Sequence, residues 1–180
     1  MDLYFIALLP PEQLGDEIHR IKEEIRKKYK AKHALKLPAH ITLQPPFRLK
    51  GFEEKQLIGS LRKFAENQTK FDVNLKDFGA FPPRVIFIEI SNPQPVKLLQ
   101  HELIPVIQPF LAPKEDQSER ELHPHITLAT RDLYRKTFKD AWEDFQKRQF
   151  SAKFEVNKLS LFKHNGKTWD VYKEFSFKNS

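Results

Sequence analysis

The chain has 180 residues, of which 39% are hydrophobic, 12% aromatic and 31% charged, with a formal net charge of +7. That length holds one domain or two small packed lobes, and the composition is that of a globular protein with a real core. There is no cysteine, which excludes disulfides, a thiolate nucleophile and cysteine-held zinc, and sets the expectation of a reducing, cytoplasmic setting.

Residues 3–9, "LYFIALL", form a near-continuous apolar run stopped by Pro10 and Pro11, and read as a strand buried on both faces. Asp2 at its front and its short length set the expectation of a buried strand and not a signal peptide, and no later run is long enough to cross a membrane. Leu14, Ile18, Ile21 and Ile25 then fall on one stripe of a helix. Pro11 sits near its first turn and a basic stretch near its negative pole. "HITLQ" (40–44) is a short strand. A second helix covers about 52–67, with Leu57, Leu61, Phe64 and Ala65 inward. "FDVNLKDFGAF" and "RVIFIEI" are two strands joined through Pro82 and Pro83.

The pattern then restarts. Residues 94–104 carry Val96, Leu99 and Leu103 on a helix that should end or kink before Pro105. Residues 112–121, "APKEDQSERE", are the most polar part and read as an exposed loop into a second strand, "HITLA" (125–129). Tyr134, Phe138, Ala141, Trp142 and Phe145 mark a fourth helix, followed by the strands "FEVNKLSLF" and "WDVYKEFSF". "FDVN" begins 31 residues after His40 and "FEVN" 29 residues after His125. Two marks in register indicate an internal duplication, with halves of approximately 1–83 and 84–180 in one bilobal domain, 1–180.

The repeated tetrapeptide carries the chemistry. Alternate residues of a strand share a face, so His40 and Thr42 project one way while Ile41 and Leu43 enter the core. His125 and Thr127 do the same in the second copy. Across an approximate two-fold axis, two imidazoles and two hydroxyls would surround one small ligand. Opening a 2′,3′-cyclic phosphate needs a base for water and an acid for the departing ribose oxygen, and histidine, with a pKa of roughly 6.5, serves as either. Threonine hydroxyls would hold non-bridging phosphate oxygens as charge builds on them. Two other readings stand beside this one. Duplication would also preserve a purely structural strand. The spacing His123-Pro124-His125 is one metals use, although no carboxylate cluster accompanies it and the first copy has no histidine at 38. The positive charge permits a phosphate-bearing partner without requiring one.

Two HxTx motifs in a duplicated α/β chain resemble the 2H phosphoesterase superfamily. The segments "YFIALLPPEQL", "PAHITLQPPF" and "HPHITLAT" look most like its RNA 2′,3′-cyclic phosphodiesterase branch, the 2′-5′ RNA ligase-like proteins. The likeness follows the element order of the whole chain. It implies an α+β fold of two pseudo-two-fold related β-sheet lobes with flanking helices and a central cleft. It implies His40 as proton donor to the leaving ribose oxygen, His125 as proton acceptor from water, Thr42 and Thr127 as their partners, and no metal or cofactor. It further implies RNA termini or small cyclic-phosphate nucleotides as partners, weak 2′-5′ ligation as the reverse reaction, and a monomer with no obligate protein partner.

Arg84 resembles an arginine that relatives carry ahead of the corresponding strand and is a candidate phosphate contact. Tyr4, with Phe5 as the other choice, is a candidate for stacking on a base. Phe47 and Arg131, together with Arg48, follow the HITL strands closely and are candidates for the rim, whereas Trp169 and Tyr172 are expected to pack. Many relatives have arginine directly after the alanine of the second motif. Thr130 stands there instead and Arg131 follows, a shift that in a strand points the side chain to the other face. The same kind of site in other branches takes ADP-ribose cyclic phosphate or 2′-5′ oligoadenylate, and a nucleotide- or RNA-binding module with vestigial catalysis is the alternative from another class.

Overall fold

Alternation along the strands decides which side chains meet the helices and which face the cleft. The computed structural model describes residues 1–178. In chain order the elements are β1 (Asp2–Leu8), α1 (Glu12–Tyr29), β2 (Ile41–Leu49), α2 (Glu54–Glu66), β3 (Phe71–Phe81), β4 (Val85–Ile90), α3 (Gln94–Ile107), β5 (His125–Ala129), α4 (Arg135–Phe145), β6 (Ser151–Val156), β7 (Lys158–His164) and β8 (Trp169–Ser176). A short 3-10 turn, His33–Lys36, precedes β2. No helix among the described residues is long and apolar enough to cross a membrane.

The strands form one antiparallel sheet in the order β6-β3-β4-β5-β2-β1-β7-β8. It is two four-stranded lobes joined edge to edge between β5 and β2, where Ile41 and Ile126 are partners. The sequence halves and the lobes do not coincide. β3, from the first half, lies between β4 and β6, while β7 and β8, from the second, extend the sheet beyond β1. The repeated "FDVN" and "FEVN" meet face to face, with Phe71 opposite Val156 and Val73 opposite Phe154, a pairing that a two-fold axis maps onto itself.

One face of the sheet gathers the main core. Tyr4, Ile6 and Leu8 of β1, Ile86, Ile88 and Ile90 of β4, and Leu159 and Leu161 of β7 pack there with the apolar stripes of the helices. Phe5, Ala7 and Phe162 belong to a second, smaller cluster on the opposite face, packed against Leu37 and Trp169.

Several elements differ from the sequence reading. β2 runs on through Pro45 and Pro46 to Leu49, with its pairing to β1 shifted between Tyr4 and Ile6. β5 meets β2 only at Ile41, so the missing proline N–H groups break no ladder on that edge. α3 passes through Pro105, whose lost partner would be the carbonyl of exposed His101, open to water. "FEVNKLSLF" is two strands, broken at Asn157. Tyr134 precedes α4 and is 74% exposed, so it is not part of that helix's buried stripe.

Candidate active site

The partnership of Ile41 with Ile126 positions the site. Continuing that antiparallel register sets His40 opposite Thr127 and Thr42 opposite His125. Ile41, Leu43, Ile126 and Leu128 are in the core, so parity turns both histidines and both threonines to the other face. Two adjoining cavities, of about 530 and 400 Å³, open there and share Thr42 and Pro46. His40 and Thr127 line the first, and His125 lines the second.

The two imidazoles are held alike. His40 Nδ1 donates to the Pro38 carbonyl at 2.8 Å, and His125 Nδ1 donates to the His123 carbonyl at 2.6 Å. Each bond fixes the proton on Nδ1 and leaves Nε2 free for chemistry. Each ring also rests on a pair of phenylalanines. Phe5 lies 5.4 Å from His40 and stacks on Phe162, while Phe81 and Phe87 lie 5.2 and 4.9 Å from His125. Gly79 of β3 gives Phe87 its place, since a Cβ there would overlap the ring.

The surroundings are less alike in charge. Burial pulls His40 down to about 4; the Pro38 hydrogen bond opposes this, and the charges of Lys22 and His125 add to it. Burial also lowers His125, opposed by the His123 carbonyl, and here the His123 ring lowers and the Glu89 carboxylate raises. Glu89 Oε1 accepts from His123 Nε2 at 2.9 Å. So a carboxylate stands behind one histidine and an ammonium behind the other.

Lys22 is the residue the sequence reading missed. It is 2% exposed and donates to the Ala34 and Leu37 carbonyls, each at 3.1 Å, while lining the His40 cavity. Burial pulls it down to about 8. The signal was present: Lys22 falls on the same stripe as Ile18 and Ile25, where a charge is out of place.

The other candidates divide. Tyr4 and Phe47 are both 0% exposed, on the core face of β1 and β2, and this corrects the expectation that they touch a substrate. The Tyr4 hydroxyl binds Glu54. Phe5, one residue along, faces the cleft instead. Arg84 is exposed in the turn between β3 and β4 and lines neither cavity. Arg48 is also exposed and lines neither. Arg131 does line the His40 cavity, as does Thr130. Strand parity does not apply to them, because β5 ends at Ala129 and Arg131 turns the chain with φ 58°. Trp169 also lines this cavity, edge-on to Phe5 at 4.7 Å, whereas Tyr172 packs on the far side against Glu54.

Comparison with solved structures shows that the fold is shared with TT0787 and LigT. The protein TT0787 of Thermus thermophilus matches all of both chains with a TM-score of 0.71 at 20% identity. E. coli LigT, solved with 3′-AMP, matches 99% of both with a TM-score of 0.65 at 20% identity. In sequence the chain is 27% identical over 175 residues to a protein of Bacillus pumilus (strain SAFR-032) named "Putative phosphoesterase", covering 96% of this chain and 95% of that one. A family model, 2′-5′ RNA ligase superfamily, matches residues 10–168, and the chain belongs to that family.

Proposed function

We propose that the protein hydrolyses 2′,3′-cyclic phosphates, on RNA ends or small nucleotides, by acid–base catalysis shared between His40 and His125. One observation carries this reading: both Nδ1 atoms are tied to carbonyls two residues back, which frees both Nε2 atoms, with a threonine two residues on from each. Water attacks phosphorus from the side opposite the leaving ribose oxygen. One Nε2 takes the water proton, and the other imidazole, protonated, gives its proton to the 2′ or 3′ oxygen as the P–O bond breaks. A ribose hydroxyl and a phosphomonoester result, with no metal in the reaction as written. The 3′-AMP bound by E. coli LigT is a phosphomonoester of this kind. The Thr42 and Thr127 hydroxyls donate to the non-bridging oxygens, each contributing about 2–4 kcal/mol to the transition state. With a 5′-hydroxyl in place of water, the same two proton transfers open the cyclic phosphate by breaking its P–O3′ bond, leaving a 2′-5′ link and a free 3′-hydroxyl.

With His40 as donor and His125 as acceptor, the donor's proton must arrive with the substrate, because burial leaves His40 neutral at pH 7. The phosphate's own charge favours that uptake. Lys22 and Glu89 support the opposite assignment, with His125 as donor and His40 as acceptor, since the ammonium disfavours a proton on His40 and the carboxylate favours one on His125. Incubation of adenosine 2′,3′-cyclic phosphate with the protein and EDTA in ¹⁸O-water, read by ³¹P NMR, tests the chemistry. One labelled oxygen in a single phosphomonoester isomer is expected. An unchanged cyclic phosphate, or turnover only on adding a divalent metal, would contradict it.

A further inference from the structure

The cleft is uneven along its length. On the His125 side its walls are Leu43, Pro45, Leu122 and Phe81, with Arg120 and Glu121 both present. On the His40 side the walls carry Lys22, His33, Lys36, Arg131, His164 and Lys167, and no lining residue is Asp or Glu. The basic groups come from three separate places: α1, the loops around β2 and β5, and the hairpin between β7 and β8.

These places are built. Asp132 Oδ2 accepts the amides of Lys32 and His33, each at 2.9 Å, which ties the His33–Lys36 turn to the bend at Arg131. The Asp132 amide donates to the Thr130 carbonyl at 2.6 Å, closing the bend that holds Arg131. Asp132 adjoins Arg131 and its charge acts on His33, and those amides occupy its Oδ2. Beneath the turn, Lys22 gives two of its three protons to carbonyls and has the third for the cavity. A buried ammonium whose partners are neutral carbonyls is under-compensated, and an anion beside it repays the desolvation. Trp169, half-buried next to Phe5, gives the same limb an aromatic surface for a base.

We infer that this basic limb is a subsite for a second phosphate on the substrate, so that the preferred substrates are 2′,3′-cyclic nucleotides bearing a phosphate at the 5′ oxygen rather than bare nucleoside cyclic phosphates. The inference rests on the cyclic phosphodiesterase reading for where the scissile phosphate lies. A 5′ phosphate comes either as a terminal monoester or as the diester to an upstream nucleotide. Both offer the same anionic oxygens to Lys36, Arg131 and Lys22.

The test compares kcat/KM in EDTA for adenosine 2′,3′-cyclic phosphate, its 5′-monophosphate, and ApA ending in a 2′,3′-cyclic phosphate. At least one extended compound should be favoured by about tenfold or more, as expected for charge-assisted contacts. A gain for the monoester alone assigns the subsite to terminal phosphates, and a gain for the dinucleotide alone to an RNA backbone. The ratio should fall towards one in the double variant Lys36→Gln/Arg131→Gln, and also fall in Lys22→Met. Equal kcat/KM for all three compounds in the wild type, or a preference that survives the double variant, overturns the subsite. If nothing is turned over, the failure is that of the proposed chemistry, and binding decides the subsite separately. Titration of tryptophan fluorescence should then show adenosine 3′,5′-bisphosphate binding about tenfold more tightly than adenosine 3′-monophosphate, a preference lost in the double variant. Equal affinities would overturn it.

Discussion

Glu89 and Lys22 stand behind the two histidines with opposite charge, and each leaves a measurable mark. Glu89 raises the affinity of His125 for a proton, so Glu89→Gln should lower the pH at which His125 titrates and leave His40 in place. Histidine Cε1–H signals followed by NMR across pH report both rings, and an unmoved His125 would contradict the assignment. His40 also writes its burial into stability. Its pKa is about 4 when folded, against roughly 6.5 for a free imidazole, so the unfolded chain takes the proton first. Stability is therefore lost as pH falls from 6.5 towards 4. In urea denaturation over that window, His40→Ala should lose less stability than the wild type, and parallel curves would exclude the effect. The histidine–threonine quartet was readable from sequence because a strand has a strict period of two. Lys22 showed only as a charge on an apolar stripe, and Trp169 and Glu89 gave no sign, because tertiary placement alone brings Lys22 and Trp169 to the His40 cavity and Glu89 to His123.

Strands and helices were readable where their patterns were long. Leu57, Leu61, Phe64 and Ala65 are all buried in α2, as their spacing requires. The misreadings cluster at proline and asparagine, where local propensity gave way to position. Pro45 and Pro46 continue β2 where its pairing with β1 shifts, and Pro105 stays inside α3 where the carbonyl it leaves without a helix partner is that of exposed His101. Tyr4 and Phe5 show the limit of reading a strand that is apolar on both faces: the period gives two faces but not which one meets the helices. Two elements carry predictions of their own. Gly79→Ala in β3 pushes a Cβ into the Phe87 ring, on which His125 rests, and should cost about 1–3 kcal/mol of stability while reducing turnover. Thermal unfolding and kcat measured together check this, and wild-type values of both would contradict it. Between α1 and α4, Arg148 binds Asp144 at 2.8 Å and Glu24 at 2.5 Å. Because these groups are partly exposed, Arg148→Met should cost only about 1 kcal/mol in urea denaturation.

At the scale of the whole molecule, the two copies of the tetrapeptide fall at the two strands, β2 and β5, that join the lobes. Each copy supplies an edge strand, the two edges meet at Ile41 and Ile126, and the two adjoining cavities beside that seam receive one histidine each. Repetition along the chain set the expectation of two halves. It did not show that β3 crosses into one lobe while β7 and β8 cross into the other, because strand order is set by which edges pair and not by periodicity. The crossing places the β7–β8 hairpin, with Lys167 and Trp169, beside His40, and makes the two ends of the cleft differ. The measurement that tests the account most directly is kcat/KM for adenosine 2′,3′-cyclic phosphate in EDTA, across pH, for the wild type, His40→Ala and His125→Ala. The account predicts a bell-shaped profile in the wild type and a loss of about 10²–10⁴-fold in each single variant, with the fold intact by circular dichroism. Full activity in either variant would contradict it.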